Sequence, residues 1–305
     1  MGAREWALII FTILGQMSVG AFVVLGFVHF FAMRKAGAEE ADRLSDRALL
    51  AIGPVLILGM FASLFHLGNP LNAYKAIANI ETSWLSREIL FGVIFAVLGA
   101  VFAIMQWRKI GNFGLRNVIA WVTAVVGLMF VYSMSQVYRL PTQPSWDALA
   151  TPITFFITTF LLGALAIGAA FVANIAYIKR KDDVDLQVQM ELLRGSLRWI
   201  ALVSILLLGV ELIVSPLYIA NLATGGETAL ASVQLMIGMG WVLALRLVLL
   251  FIGAGVFGVF LYQSTVSTDK MNVIAAFAYS AFVLVLVSEV MGRFLFYATH
   301  VRVGI

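Results

Sequence analysis

Eight long apolar runs dominate this chain of 305 residues and decide what it can fold into. The hydrocarbon core of a membrane is about 30 Å thick and requires roughly 20 apolar residues per helix, a length that each run approaches or exceeds. Because the runs are continuous and do not alternate, they predict helices and not the strands of a barrel. The predicted spans are residues 6–33, 48–67, 88–107, 117–138, 152–178, 197–221, 241–262 and 272–298.

The composition supports an integral-membrane protein. Hydrophobic residues make up 62% of the chain and charged residues only 12%, which excludes a water-soluble enzyme. The connections between the runs are too short to hold a folded domain, although residues 222–240 have room for a surface helix. The sequence therefore predicts an all-α fold, in which residues 1–305 form a single bundle of eight transmembrane helices.

Basic residues are concentrated in alternate connections, and this asymmetry predicts the orientation. The first, third, fifth and seventh connections hold thirteen lysine and arginine residues. The second holds Lys75, with Arg87 on the edge of the third span, the fourth holds Arg139 and the sixth holds none. Cytoplasmic loops carry the excess of basic residues, so the odd-numbered connections are predicted to be cytoplasmic and both termini to lie outside. The net charge of +4 is explained by these loops, and we expect no nucleic-acid partner.

The inventory of ligating side chains limits the cofactors that this protein can hold. There is no cysteine, so the protein itself can hold neither an iron–sulfur cluster nor a zinc–thiolate site. Only three histidines are present, His29, His66 and His300. We therefore expect no haem and no metal bound by this chain, and any electrons must pass to a partner that carries its own cofactors.

Ionisable residues inside the predicted spans lie mostly toward one membrane face. Charges within a bilayer are costly, so they are usually paired or directed toward the bundle interior. Two interpretations of this polar layer are open, structural ion pairs or a polar pocket that opens to the outer face. In the first, Arg246 neutralises Glu211, and Glu289 pairs with Arg293 one helical turn away.

The two most reactive residues of the polar layer also have alternative interpretations. His66 lies before a helix-ending Gly-Asn-Pro sequence, where the helix dipole alone would favour its charged form. Glu88 begins the predicted third helix, where a dipole and Ser86 as N-cap would stabilise an acid. If the two residues instead bind a ligand, histidine suits an oxygen of a quinol and the carboxylate suits proton release. His29, on the other face, is interpreted as an interfacial residue.

Several segments resemble the dimethyl sulfoxide reductase membrane anchor subunit family over essentially the whole chain. The most specific are SLFHLGNPLNAY (residues 63–74), LSREILFG (85–92) and SEVMGRFLFYATH (288–300). Supporting segments are IFTILGQMSVGAFV (10–23), VYRLPTQPSW (137–146), TPITFF (151–156) and LRLVLL (245–250).

The resemblance implies a membrane anchor that oxidises menaquinol or ubiquinol near the outer face of the bacterial inner membrane, with periplasmic termini. By position, His66 contacts the quinone and Glu88 is the family's acidic residue, which makes these two the expected catalytic pair. Arg293, Tyr297 and Arg246 complete the expected quinone-binding residues. The implied partners are an iron–sulfur subunit and a molybdopterin catalytic subunit, together with the membrane lipid and its quinone pool.

Four alternatives remain at this point. A related anchor serves an oxidase that runs in reverse, for example from sulfite into quinone. A secondary transporter would also place a polar pocket between helices, although its site is expected near the midplane of inverted repeats. A haem b cytochrome would use His66 and His300, and a simple tether would carry no site at all.

Overall fold

The computed structural model describes residues 2–65, 75, 78–181, 186–267 and 270–303, without the side chains of Ala3, Arg4 and Lys181. All regular structure in these residues is helical. The helices are α1 (Ala3–Ala36), α2 (Ala38–Leu64), α3 (Trp84–Arg108), α4 (Phe113–Val137), α5 (Ala150–Lys181), α6 (Gln187–Ala223), α7 (Glu227–Gly238), α8 (Gly240–Leu250), α9 (Phe257–Ser267) and α10 (Met271–Ala298). A π-helical segment, Phe251–Val256, joins α8 to α9.

The described residues contain eight helical stretches that are long and apolar enough to cross a membrane, which confirms the predicted number of spans. The helices α8 and α9 form one of these stretches together with the π-helical segment. The short helix α7 occupies the connection that had room for a surface helix. Helix α2 begins ten residues before the predicted span, because the charged residues 39–47 are also helical. Hydropathy marks only the part of a helix that lies in lipid.

Helices α1 and α5 form the centre of the bundle, where most of their surface is buried. They cross at Gly20 and Gly163. A Cβ atom built on Gly20 would lie 1.8 Å from the carbonyl oxygen of Thr159, and one built on Gly163 would lie 2.2 Å from the carbonyl carbon of Gly20. Small residues allow membrane helices to approach this closely.

The polar contacts fall at two opposite ends of the bundle. At the first, which we call the terminus face, α1 begins and α10 ends. There Trp146 donates a hydrogen bond to the carbonyl of Phe296 at 2.8 Å, and Val303 donates to the carbonyl of Thr142 at 2.8 Å. At the other end, the loop face, Arg47 donates to Asn174 at 2.8 Å.

Candidate functional site

A cavity of about 100 Å³ lies near the terminus face between α5, α6, α8 and α10. Its polar lining includes both members of each ion pair that the sequence suggested. The lining residues used below are Thr158, Glu211, Tyr218, Leu243, Arg246, Glu289, Gly292, Arg293 and Phe296. We call this space the terminus cavity.

One of the two expected ion pairs is present in the wall of the terminus cavity. Arg246 of α8 donates from Nη2 to Oε1 of Glu211 on α6, at 2.6 Å. Ser215 donates to the same carboxylate oxygen at 3.1 Å. The side chain of Glu211 is only 2% exposed and that of Arg246 is 13% exposed. A buried charge pair of this kind links two helices, and each charge depends on the other.

The second expected pair, Glu289 with Arg293, forms no direct ion pair among the described residues; the two charges interact electrostatically, but each side chain hydrogen-bonds to another helix. Glu289 accepts a hydrogen bond from Thr158 of α5 at 2.6 Å. Arg293 donates to Gln16 of α1 at 2.9 Å, and its guanidinium carbon lies 3.8 Å from the centre of the Phe155 ring. Through these hydrogen bonds both residues connect α10 to the central helices. Gln16 and Thr158 were missed in the sequence, although polar side chains within apolar spans were a usable signal.

Three polar atoms of the terminus cavity residues have no hydrogen-bond partner among the residues that the structure describes. They are Nε of Arg246, Nε of Arg293 and Oε1 of Glu289, all buried. Buried donors and acceptors are normally satisfied. The set combines two donors with one acceptor beside Tyr218 and Phe296, which fits an aromatic ligand that carries oxygen atoms.

Glu88 lies in a second buried cluster at the terminus face. Its side chain is 5% exposed, and it interacts electrostatically with Tyr138 of the α4 end and Tyr297 of α10. The two tyrosine hydroxyls are 2.5 Å apart. The expected N-cap was wrong: the oxygen of Ser83 accepts from the backbone of Ser86, and α3 begins at Trp84. Glu88 is therefore the fifth residue of its helix, beyond the first turn.

Arg293 connects the two polar regions. It lines the terminus cavity and also interacts electrostatically with Tyr138 and Tyr297. Of the five expected site residues, the structure thus groups Glu88 with Tyr297, and Arg246 with Arg293, with Arg293 common to both groups. His66 lies outside the described residues, so its contact with a quinone stays a prediction.

The other two histidines have protein partners. The ring of His300 stacks on Trp146 with centroids 4.5 Å apart, and its Nδ1 lies 2.6 Å from the carbonyl oxygen of Tyr297. His29 lies toward the loop face with Nε2 2.8 Å from Asp42. The interfacial interpretation of His29 was incomplete, because it did not include this carboxylate.

Gly292 is a residue of the terminus cavity that the sequence did not reveal. A Cβ atom built there would lie 2.5 Å from Nε and 2.8 Å from Cζ of Arg246. We expect Gly292→Ala to displace the guanidinium from Glu211 and to lower the free energy of unfolding by about 1–3 kcal/mol, the usual range for overpacking. Thermal unfolding of the purified protein measures this.

Gly99→Ala is the matched control for this substitution. Gly99 also lies within a membrane span, and no atom comes within 4 Å of a Cβ atom built on it. Equal stability of the two variants would show that the Arg246 side chain moves aside without losing its contact.

Comparison with known proteins identifies the family of this protein. The sequence model of the DMSO reductase anchor subunit (DmsC) family matches residues 1–299. One chain of the anaerobic dimethyl sulfoxide reductase of Escherichia coli is 30% identical over 99% of this protein and 97% of its own length.

Two further relatives match over shorter stretches. A chain of the anaerobic dimethyl sulfoxide reductase of Haemophilus influenzae is 31% identical over 57% of this protein and 61% of its own length. A subunit of the sulfite dehydrogenase of Allochromatium vinosum is 32% identical over 32% of this protein and 29% of its own length. The family match and the Escherichia coli relative each extend over nearly the whole sequence. This protein therefore belongs to the DMSO reductase anchor subunit family.

Proposed function

We propose that this protein anchors a molybdopterin oxidoreductase complex in the bacterial inner membrane and oxidises quinol at the terminus face. The observation that carries the proposal is the burial of Glu88 beside Tyr138 and Tyr297, within a helix that belongs to a membrane span. A carboxyl group that is removed from water and lies near two phenol groups is suited to exchange a proton with a bound quinol.

The residues around Arg293 fit the head of a quinol. The unpartnered Nε atoms of Arg246 and Arg293 are donors for a quinone oxygen, and Oε1 of Glu289 is an acceptor for a quinol hydroxyl. Phe296 and Leu243 supply apolar walls. We assign His66 to the same site from its sequence motif alone.

A quinol supplies two electrons and two protons when it is oxidised. In the proposed function, Glu88 and Glu289 each take one of the two protons and pass it toward the terminus face. Tyr297 orients the carboxyl group of Glu88, and Arg293 holds the adjacent oxygen. The electrons leave for an iron–sulfur partner subunit and then a molybdopterin subunit, because this protein has no cysteine with which to hold a cluster of its own.

The orientation belongs to the same proposal. The loop face carries most of the basic residues, and the positive-inside rule assigns such a face to the cytoplasm. Both termini, Glu88 and the terminus cavity would then face the periplasm. Quinol oxidation there would release its protons outside the cell.

A second candidate function is quinone reduction in a complex that runs in the opposite direction. It is supported by the similarity to the sulfite dehydrogenase subunit, which extends over about a third of this protein. The same donors and carboxyl groups would serve a quinone that takes up protons. The two functions are distinguished by whether the assembled complex oxidises added quinol or reduces added quinone.

The proposed function is tested by Glu88→Gln, which keeps the shape of the side chain but removes its basicity. We expect quinol-driven turnover of the assembled complex to fall about 100-fold, the size of a typical contribution from a proton acceptor. Turnover driven by a reducing dye that delivers electrons directly to the soluble subunits should remain unchanged. The ratio of the two rates is the measurement.

Glu81→Gln is the control, because Glu81 is an exposed acid just before α3 at the same face. It should leave both rates unchanged. Wild-type quinol kinetics in Glu88→Gln would contradict the role of Glu88. A parallel loss of dye-driven turnover would point instead to failed assembly.

A further inference from the structure

A second pocket lies toward the loop face, between α1, α2, α3 and α4, and it is separate from the site described above. Its volume is about 100 Å³, the same as that of the terminus cavity. The lining includes Phe27, Ser45, Phe102, Arg116 and Trp121. We call it the loop-face pocket.

A network of charges closes the polar end of this pocket. Lys109 donates to Asp42 at 2.7 Å and to Asp46 at 2.9 Å. Gln106 donates to the same two carboxylates, and His29 lies 2.8 Å from Asp42. Partial burial works against the charge on Lys109, but its hydrogen bonds to the carboxylates outweigh burial and raise the pKa of Lys109. Asp42 and Asp46 thus carry two negative charges against the one positive charge of Lys109, and Asp46 also lines the pocket.

Arg116 lines the same pocket and supplies the second positive charge that balances Asp42 and Asp46. Its Nε and Nη1 atoms are buried and have no hydrogen-bond partner among the residues that the structure describes. The hydroxyl of Ser45, a residue only 4% exposed, is also buried without a partner. Leaving buried donors unsatisfied is costly, and a cation costs more than a hydroxyl. These donors indicate a ligand that carries negative oxygen atoms.

The remaining walls indicate where such a ligand comes from. Phe27 and Trp121 are 51% and 59% exposed, and their rings meet edge to face with centroids 6.1 Å apart. Both belong to membrane spans, so this edge of the pocket adjoins lipid. Arg116 is the fourth residue of α4 and lies one turn from the N-terminus of this helix. A residue one turn inside the end of a membrane span is at the depth of the lipid headgroups.

We propose that the loop-face pocket binds the phosphate of an anionic phospholipid, with Arg116 and Ser45 as its donors. The acyl chains lie along Phe27 and Trp121. Basic pockets between membrane helices on a cytoplasmic face are known to take such headgroups.

The test is native mass spectrometry of the full-length protein, delipidated in neutral detergent and then supplied with phosphatidylglycerol or phosphatidylcholine. We expect the wild-type protein to retain one phosphatidylglycerol in preference to phosphatidylcholine. Arg116→Gln should weaken that retention about tenfold or more, since it removes a charged hydrogen-bond donor. Ser45→Ala should weaken the retention of phosphatidylglycerol less. This variant keeps the charge of Arg116, so it tests the same pocket if Arg116→Gln folds poorly.

Arg108→Gln is the matched control. It removes one positive charge from the same face, but Arg108 is exposed and lies over the ring of Trp107, outside the pocket. Equal loss in the two arginine variants, or equal retention of the two lipids, would overturn the proposal. Saturation of the site by inorganic phosphate alone, or displacement of the lipid by a ubiquinone analogue, would overturn the choice of a phospholipid.

Discussion

Replacing Gly163 with leucine is expected to prevent the bundle from assembling. Even a single Cβ atom at this position would lie 2.2 Å from the carbonyl carbon of Gly20 and 2.4 Å from the backbone nitrogen of Ala21. The obstructing atoms are backbone, so no side-chain rotation relieves the overlap, and α1 must separate from α5. We expect Gly163→Ala to cost about 3 kcal/mol, the upper end of the overpacking range, and leucine to cost more.

The fraction of membrane-inserted protein that elutes as a monodisperse species measures assembly, and thermal unfolding ranks the variants that survive. Gly209→Leu is the control, since Gly209 is an exposed glycine of α6 and a Cβ atom built on it would have no atom within 4 Å. Leucine in that position only adds apolar surface toward lipid. Normal assembly of Gly163→Leu would mean that α1 and α5 do not depend on their close approach.

The sequence predicted the fold well because a bilayer imposes its thickness on each apolar run. Eight spans and the surface helix α7 follow from run length alone. The helical extension of α2 through residues 39–47 was not predicted, because its charged residues lie outside the apolar run. The π-helical segment Phe251–Val256 was not predicted either, because the helical period changes there without a proline in the sequence.

The site was predicted in part, and the successes and failures have different physical causes. Charge neutralisation within a membrane is a strong constraint, so the pairing of Glu211 with Arg246 followed from the sequence. The spacing of Glu289 and Arg293 permitted a pair within α10, but Thr158 and Gln16 on neighbouring helices bind them instead. Contacts between distant helices, including that of Gly292 with Arg246, depend on packing that one sequence does not encode locally.

Removing the charge of Arg246 is expected to have the second large effect on stability. In Arg246→Met the carboxylate of Glu211 loses its 2.6 Å partner while it remains buried. Breaking a buried pair on one side costs about 3–5 kcal/mol, because the remaining charge is uncompensated. We expect the midpoint of thermal unfolding of the purified protein to fall accordingly. Glu211→Gln, which leaves Arg246 only its electrostatic interaction with Glu289, should be destabilised in the same direction.

The double variant Arg246→Met with Glu211→Gln separates the structural role of Arg246 from its proposed role toward quinol. With both charges removed, most of the lost stability should return, and the coupling energy of the cycle measures the pair. Quinol-driven turnover should stay low in the double variant, because the Nε donor that lines the terminus cavity is still absent. If turnover returned together with stability, Arg246 would serve only to hold α8 against α6, and the quinol would have to be bound by the remaining residues around Arg293.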